Sequence, residues 1–127
     1  MRKDNIISVL VVEPNKKPYI KEIDNDYMAM QKEVGGHFQA IFPFNDKVAI
    51  LCNEDAKYLR LPFNRCLINA AGEIYDILLG TFLIVGVSGT NFISLSPALK
   101  EKYEAQYHTP DVFKNTKDGL LIVRKPF

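Results

Sequence analysis

The sequence predicts an α+β domain: one curved, mainly antiparallel sheet, partly barrel-like, packed with two short helices. Three observations carry this reading. From Ile77 to Val87 every residue except Gly80, Thr81 and Gly86 is apolar. Successive strand side chains point to opposite faces, so a strand here is greasy on both sides and belongs in the interior. The β-branched Ile84, Val85 and Val87 and the Leu-Gly-Thr-Phe break favour strand over buried helix. Shorter runs on either side alternate apolar and polar residues and supply pairing partners. Finally, two segments carry helix start and stop signals.

In chain order, Ile6 to Glu13 reads as an interior strand and Pro14 to Pro18 as its turn. Tyr19 to Ile23 alternates as the half-exposed arm of a hairpin. Asp24 or Asn25 caps a helix that places Tyr27, Met30 or Gln31, and Val34 on one face, and Gly35-Gly36 stops it. Phe38 to Phe44 and Lys47 to Cys52 form two arms around Asn45-Asp46. Asn53 to Ala56 is a polar turn. Lys57 to Ile68 is expected to be irregular or an edge, because Pro62 lacks a ladder donor. Ile74 to Leu95 is the organising segment, bent at Gly80, with a hairpin loop at Ser88 to Asn91. Ser96 caps a second helix with Pro97 at its first position and a buried stripe of Leu99, Tyr103 and Tyr107. Val112-Phe113 tucks against the core, and Leu120 to Val123 is a last short strand.

The 127 residues fit one domain over 1–127, with a core at 6–110 and a C-terminal strand extension at 111–127. A net charge of +1 lacks the basic excess of a dedicated nucleic-acid binder, so nucleic acid is not a favoured partner. The longest apolar run is shorter than the roughly 20 residues a membrane helix needs. The N-terminal apolar run ends at Glu13-Pro14 with no small-residue cleavage site, so it reads as a strand and the protein as cytoplasmic. Two cysteines, Cys52 and Cys66, without a CxxC spacing, and two histidines far apart, His37 and His108, form no zinc pattern. Reduced thiols, no metal and no cofactor are the expectation.

The residues VVEPNKKPYIKEID, then a helix ending VGG, then NEDAK and LPFNR, then YDILLGTFLIVG, and FISL before a helix ending KYEAQYHTP, form a recognisable series. In order and spacing the chain resembles an uncharacterised domain family of phages, prophages and conjugative elements of Gram-positive bacteria. The likeness covers roughly Ile6 to Pro110. Where the family's turn after the Asn-Glu pair carries glycine, this chain has Ala56. The resemblance implies a mobile-element accessory protein inside a bacterial host and implies no chemistry.

The densest polar set is Asn53, Glu54, Asp55, Lys57, Asn64 and Arg65, read as a surface for a polar ligand or partner, with Thr81 beside it at the Gly80 bend. Arg65 is the leading member, since its planar fork can hold a carboxylate or phosphate. The pair Asn64 and Arg65 is expected to be exposed. The competing reading of the Asn53 turn is a solvated loop whose side chains cap their own backbone. An enzyme would have to use Cys66, with Arg65 lowering its thiol pKa and His37 or His108 as base, or Asp76 as an acid–base group. Tyr103, Tyr107 and His108 could stack bases, but helical spacing assigns the tyrosines to the core. The expectation is a non-enzymatic binding protein whose partner is a host or element-encoded protein, against a small-ligand or nucleotide binder and an enzyme.

Overall fold

A computed structural model describes residues 5–124. Eight strands and one helix come first: β1 (Ile6–Val12), β2 (Tyr19–Asp24), α1 (Tyr27–Val34), β3 (Phe38–Ile41), β4 (Val48–Asn53), β5 (Phe63–Ile68), β6 (Ile74–Leu79), β7 (Phe82–Ser88) and β8 (Asn91–Ile93), with α1 between β2 and β3. Then follow α2 (Pro97–Tyr107), β9 (Val112–Thr116) and β10 (Gly119–Val123). The main sheet runs β2-β1-β7-β4-β3, with β8 also on β7, and every pairing is antiparallel. The fold is α+β as the sequence predicts. The sheet is open, however, and not barrel-like: among the described residues β2 and β3 are its free edges.

β7 sits at the centre because its residues suit burial on both faces. Phe82 to Val85 have no exposed surface. On one face, Phe82 and Ile84 join Leu10, Val12, Ile50, Leu67, Tyr103 and Tyr107 beneath α2 and the β5–β6 pair. On the other, Leu83 and Val85 join Val9, Val11, Leu51, Met30 and Val34 beneath α1. The molecule is thus three layers with the sheet in the middle.

Ile74 to Leu95 is not one bent strand. β6 pairs only with β5, in a separate two-stranded sheet, whereas β7 belongs to the main sheet. Gly80 makes the break: its φ is 75°, its N–H donates to the Pro62 carbonyl at 2.7 Å, and a Cβ there would meet Leu61 Cδ1 at 2.7 Å. Both the left-handed backbone and the close approach require glycine. The Lys57 to Ile68 region is edge structure, as expected, with β5 paired to β6 alone. It is a tight turn followed by β5, whose register slips between Phe63 and Arg65.

The helices differ in how well their ends were anticipated. α1 is capped by Asp26, not by Asp24 or Asn25: its Oδ1 accepts the Ala29 N–H at 2.8 Å. Gly35 closes it at φ 80°. α2 starts at Ser96 with Pro97 following, and buries Tyr103 and Tyr107, as its spacing predicts. At the C-terminus, Val112 and Phe113 do not merely tuck in. They open β9, which pairs with β10, and Phe113 lies against Phe63 with ring centroids 5.1 Å apart.

Three tyrosines are held in the neutral form. Tyr19 Oη donates to Glu13 across the β1–β2 turn, and this bond pushes its pKa up to about 12. Burial, reinforced by the bond from Tyr103 Oη to Asp46 at 2.7 Å, raises Tyr103. Burial raises Tyr107 as well. A raised folded-state pKa means the folded chain holds protons that the unfolded chain releases. The corresponding stability is therefore complete below the unfolded tyrosine pKa, about 10, and is lost as pH rises toward the folded values. The urea midpoint should fall between about pH 9 and about pH 11.5, and a Tyr103→Phe/Tyr107→Phe variant should show a shallower fall. An unchanged slope in that variant would assign the alkaline loss to other groups.

Candidate functional site

β4 ends in a tight turn that its first residue builds. Asn53 is buried; its Oδ1 accepts the Asp55 N–H at 2.8 Å, and its Nδ2 donates to the Val34 carbonyl at the end of α1 at 3.2 Å. The main chain then closes one helical turn, with Leu59 N–H donating to the Asp55 carbonyl at 2.8 Å and Leu61 N–H to the Ala56 carbonyl at 3.0 Å. Arg60 terminates it in the left-handed region at φ 56°. Ala56 fits where a glycine was the alternative: its φ is not positive, and its methyl is buried.

This turn stands opposite β6 across a cleft of about 210 Å3. Gln39 of β3, Cys52 of β4, Glu54, Asp55 and Lys57 of the turn, and Asp76 of β6 line it. Glu54 and Asp55 are exposed. Lys57 Nζ bridges the mouth to Asp76 Oδ1 at 3.0 Å, and the same Oδ1 accepts the Ile77 N–H at 2.8 Å. Beside the cleft, Phe63, Ile74 and Tyr75 form a partly exposed apolar shelf that shares Lys57 and Asp76 with it.

The structure therefore assembles four of the predicted residues, Asn53, Glu54, Asp55 and Lys57, and adds Gln39 and Asp76. Asn53 acts there as the residue that shapes the turn. Thr81 is half-buried between β6 and β7 and does not line the cleft.

Asn64 and Arg65 are not exposed, contrary to the expectation from their polarity; each retains 1% of its surface. Successive strand residues ordinarily face opposite sides, but the register slip after Phe63 turns both inward. Asn64 Nδ2 donates to the carbonyls of Val12 and Gly80, both at 2.8 Å, and its Oδ1 accepts from Arg65 Nη1 at 2.8 Å. Arg65 donates from Nη2 to the carbonyls of Lys16 at 2.7 Å and Tyr107 at 2.8 Å, and from Nη1 to that of Glu13 at 3.4 Å. Its fork clamps backbone, not a ligand.

The thiol-based catalytic reading finds no support. The Cys66 thiol is buried, and burial with the neighbouring charge of Asp111 pushes it up to about 11, the wrong direction for a nucleophile. Burial raises Cys52 too. His37 Nδ1 is engaged by Tyr27 and Gln31, and His108 Nδ1 by Glu104; among the described residues neither ring is hydrogen-bonded to the thiol. Tyr103 and Tyr107 are buried and offer no platform for a base. Among the described residues no group of three or more His, Cys, Asp or Glu is placed to hold a metal, and no helix is long and apolar enough to cross a membrane.

Residues 7–108 match the family described as a domain of unknown function (DUF3846), and the chain belongs to that family. No curated protein and no solved structure matches it.

Proposed function

We propose, from this family membership and from the cleft, that the chain is a non-enzymatic binding protein whose partner is another protein. The observation that carries the reading is the cleft itself, formed where the Asn53–Lys57 turn meets β6. Sites for cofactors and drug-sized ligands run from roughly 300 to 1,000 Å3. At about 210 Å3 the cleft alone lies below that range and has room for one long side chain of a partner. The shelf of Phe63, Ile74 and Tyr75 extends the surface beyond that pocket, as a protein contact requires. On this proposal the protein acts in the cytoplasm of a bacterial host on a host defence or regulatory component, a reading supported by the resemblance to domains of phages and conjugative elements.

The test is affinity capture from a Gram-positive host lysate with two baits, the native chain and Glu54→Lys/Asp55→Lys. Both positions are exposed, so the variant's stability should stay within about ±0.5 kcal/mol. The native chain should retrieve a discrete protein that the variant does not. Identical retrieval by both baits would move the site off the cleft. A nucleotide that raises the melting temperature would favour the small-ligand reading, since ligand at ~100 times its Kd adds ~2.7 kcal/mol.

A further inference from the structure

We propose that the cleft and the outer edge of β6 together form a strand-docking site for an extended, basic segment of the partner. This rests on the protein-binding reading above and specifies its chemistry. The segment's backbone adds to β6, one Lys or Arg side chain enters the cleft, and an apolar residue two positions away lies on the shelf.

The edge is the first argument. β6 is paired on one side only, with β5. Its four consecutive residues Asp76 to Leu79 line the cleft, whereas β3 contributes the alternate residues Gln39 and Ile41. The unpaired edge of β6 thus borders the cleft. The Ile77 N–H on that edge is held by the side chain of its own neighbour, Asp76, and not by another strand.

Charge is the second. The lining carries three carboxylates, of Glu54, Asp55 and Asp76, against the single ammonium of Lys57, which leaves two negative charges in excess. Asp76 links the two arguments. Its Oδ1 now holds both Lys57 and the Ile77 N–H. A docking strand's carbonyl takes over the Ile77 N–H and frees that carboxylate for the incoming cation. The third argument is spacing: in an extended segment residues i and i+2 project to the same side. The one that enters the cleft is followed by one over Phe63, Ile74 and Tyr75, giving main-chain affinity with side-chain selectivity.

The experiment selects a displayed library of random dodecapeptides on the full chain, then titrates the enriched peptides into 15N-labelled protein. Enriched sequences should carry a Lys or Arg with an apolar residue two positions away. They should shift the amides of Asn53–Lys57 and Tyr75–Leu79 and slow exchange of the Ile77 amide. Affinity should fall at least tenfold in Glu54→Lys/Asp55→Lys, on replacement of the peptide's basic residue by Glu, and with a peptide N-methylated on the backbone opposite β6. No enrichment, enriched acidic sequences, or shifts confined to another surface would overturn the proposal. Enriched basic peptides that bind equally well when N-methylated would overturn strand addition while leaving the protein-binding reading intact.

Discussion

Arg65→Ala should unfold the protein or leave it barely folded, with a loss on the order of 3–5 kcal/mol in urea, against a total of about 5–15 kcal/mol for an ordinary domain. Arg65 joins three places distant in sequence: the β1–β2 turn through the carbonyls of Glu13 and Lys16, the last turn of α2 through that of Tyr107, and its own strand through Asn64. The Tyr107 carbonyl belongs to the negative end of α2, where a cation is favoured. Burial lowers the guanidinium pKa, with the charge of Asp111 opposing the shift. Deleting the side chain strands these buried acceptors, each at roughly 1–3 kcal/mol, partly relieved where water enters the space left. Arg65→Met retains most of the volume and isolates the hydrogen bonds, so it should still lose at least about 2 kcal/mol. Arg65→Lys should fall between native and Met, because a point ammonium cannot face carbonyls arriving from three directions. A loss below about 1 kcal/mol for Arg65→Met would show that packing alone holds this corner.

The same residue shows where sequence reasoning stops. Arg65 and Asn64 are polar neighbours, and polarity alone argues for the surface. What buries them is one register slip in β5, which no local composition signals, because a bulge is set by the partner strand. The Gly80 break has a similar origin. The glycine marks a special backbone, but whether it bends one strand or separates two depends on Leu61 and Pro62 lying against it. Features governed by local chemistry were readable: Ser96-Pro97 opening α2, Gly35 closing α1, and the uninterrupted apolar run of β7. The site was half readable. The Asn53 turn announces itself by its own composition, whereas Asp76 enters only because the β5–β6 pair folds it across from Lys57. The Asn53 side chain caps its own turn, as the competing reading expects, and also helps to line the cleft.

Phe82→Ala should cost about 3–5 kcal/mol, the range for removing a large aromatic from a packed core. Phe82 opens β7 directly after the Gly80–Thr81 break, between Val12 of β1 and Cys52 of β4. No part of it reaches solvent. Its ring meets Tyr107 edge-on, with centroids 5.6 Å apart and planes at 80°, a geometry worth roughly 0.5–1.5 kcal/mol beyond area burial. Three parts of the fold converge on it: the sheet that carries it, α2 through Tyr107, and the β5–β6 pair that packs over the same face. The cavity cannot collapse readily, because strands β1 and β4 hold the backbone on both sides. That places the expected loss in the upper part of the range. Phe63→Ala supplies the contrast, since Phe63 is 38% exposed and should cost well under half as much, about 1 kcal/mol. Urea unfolding of both variants decides the matter. Equal losses would mean that the β5–β6 pair, and not β7, carries the stability of this face.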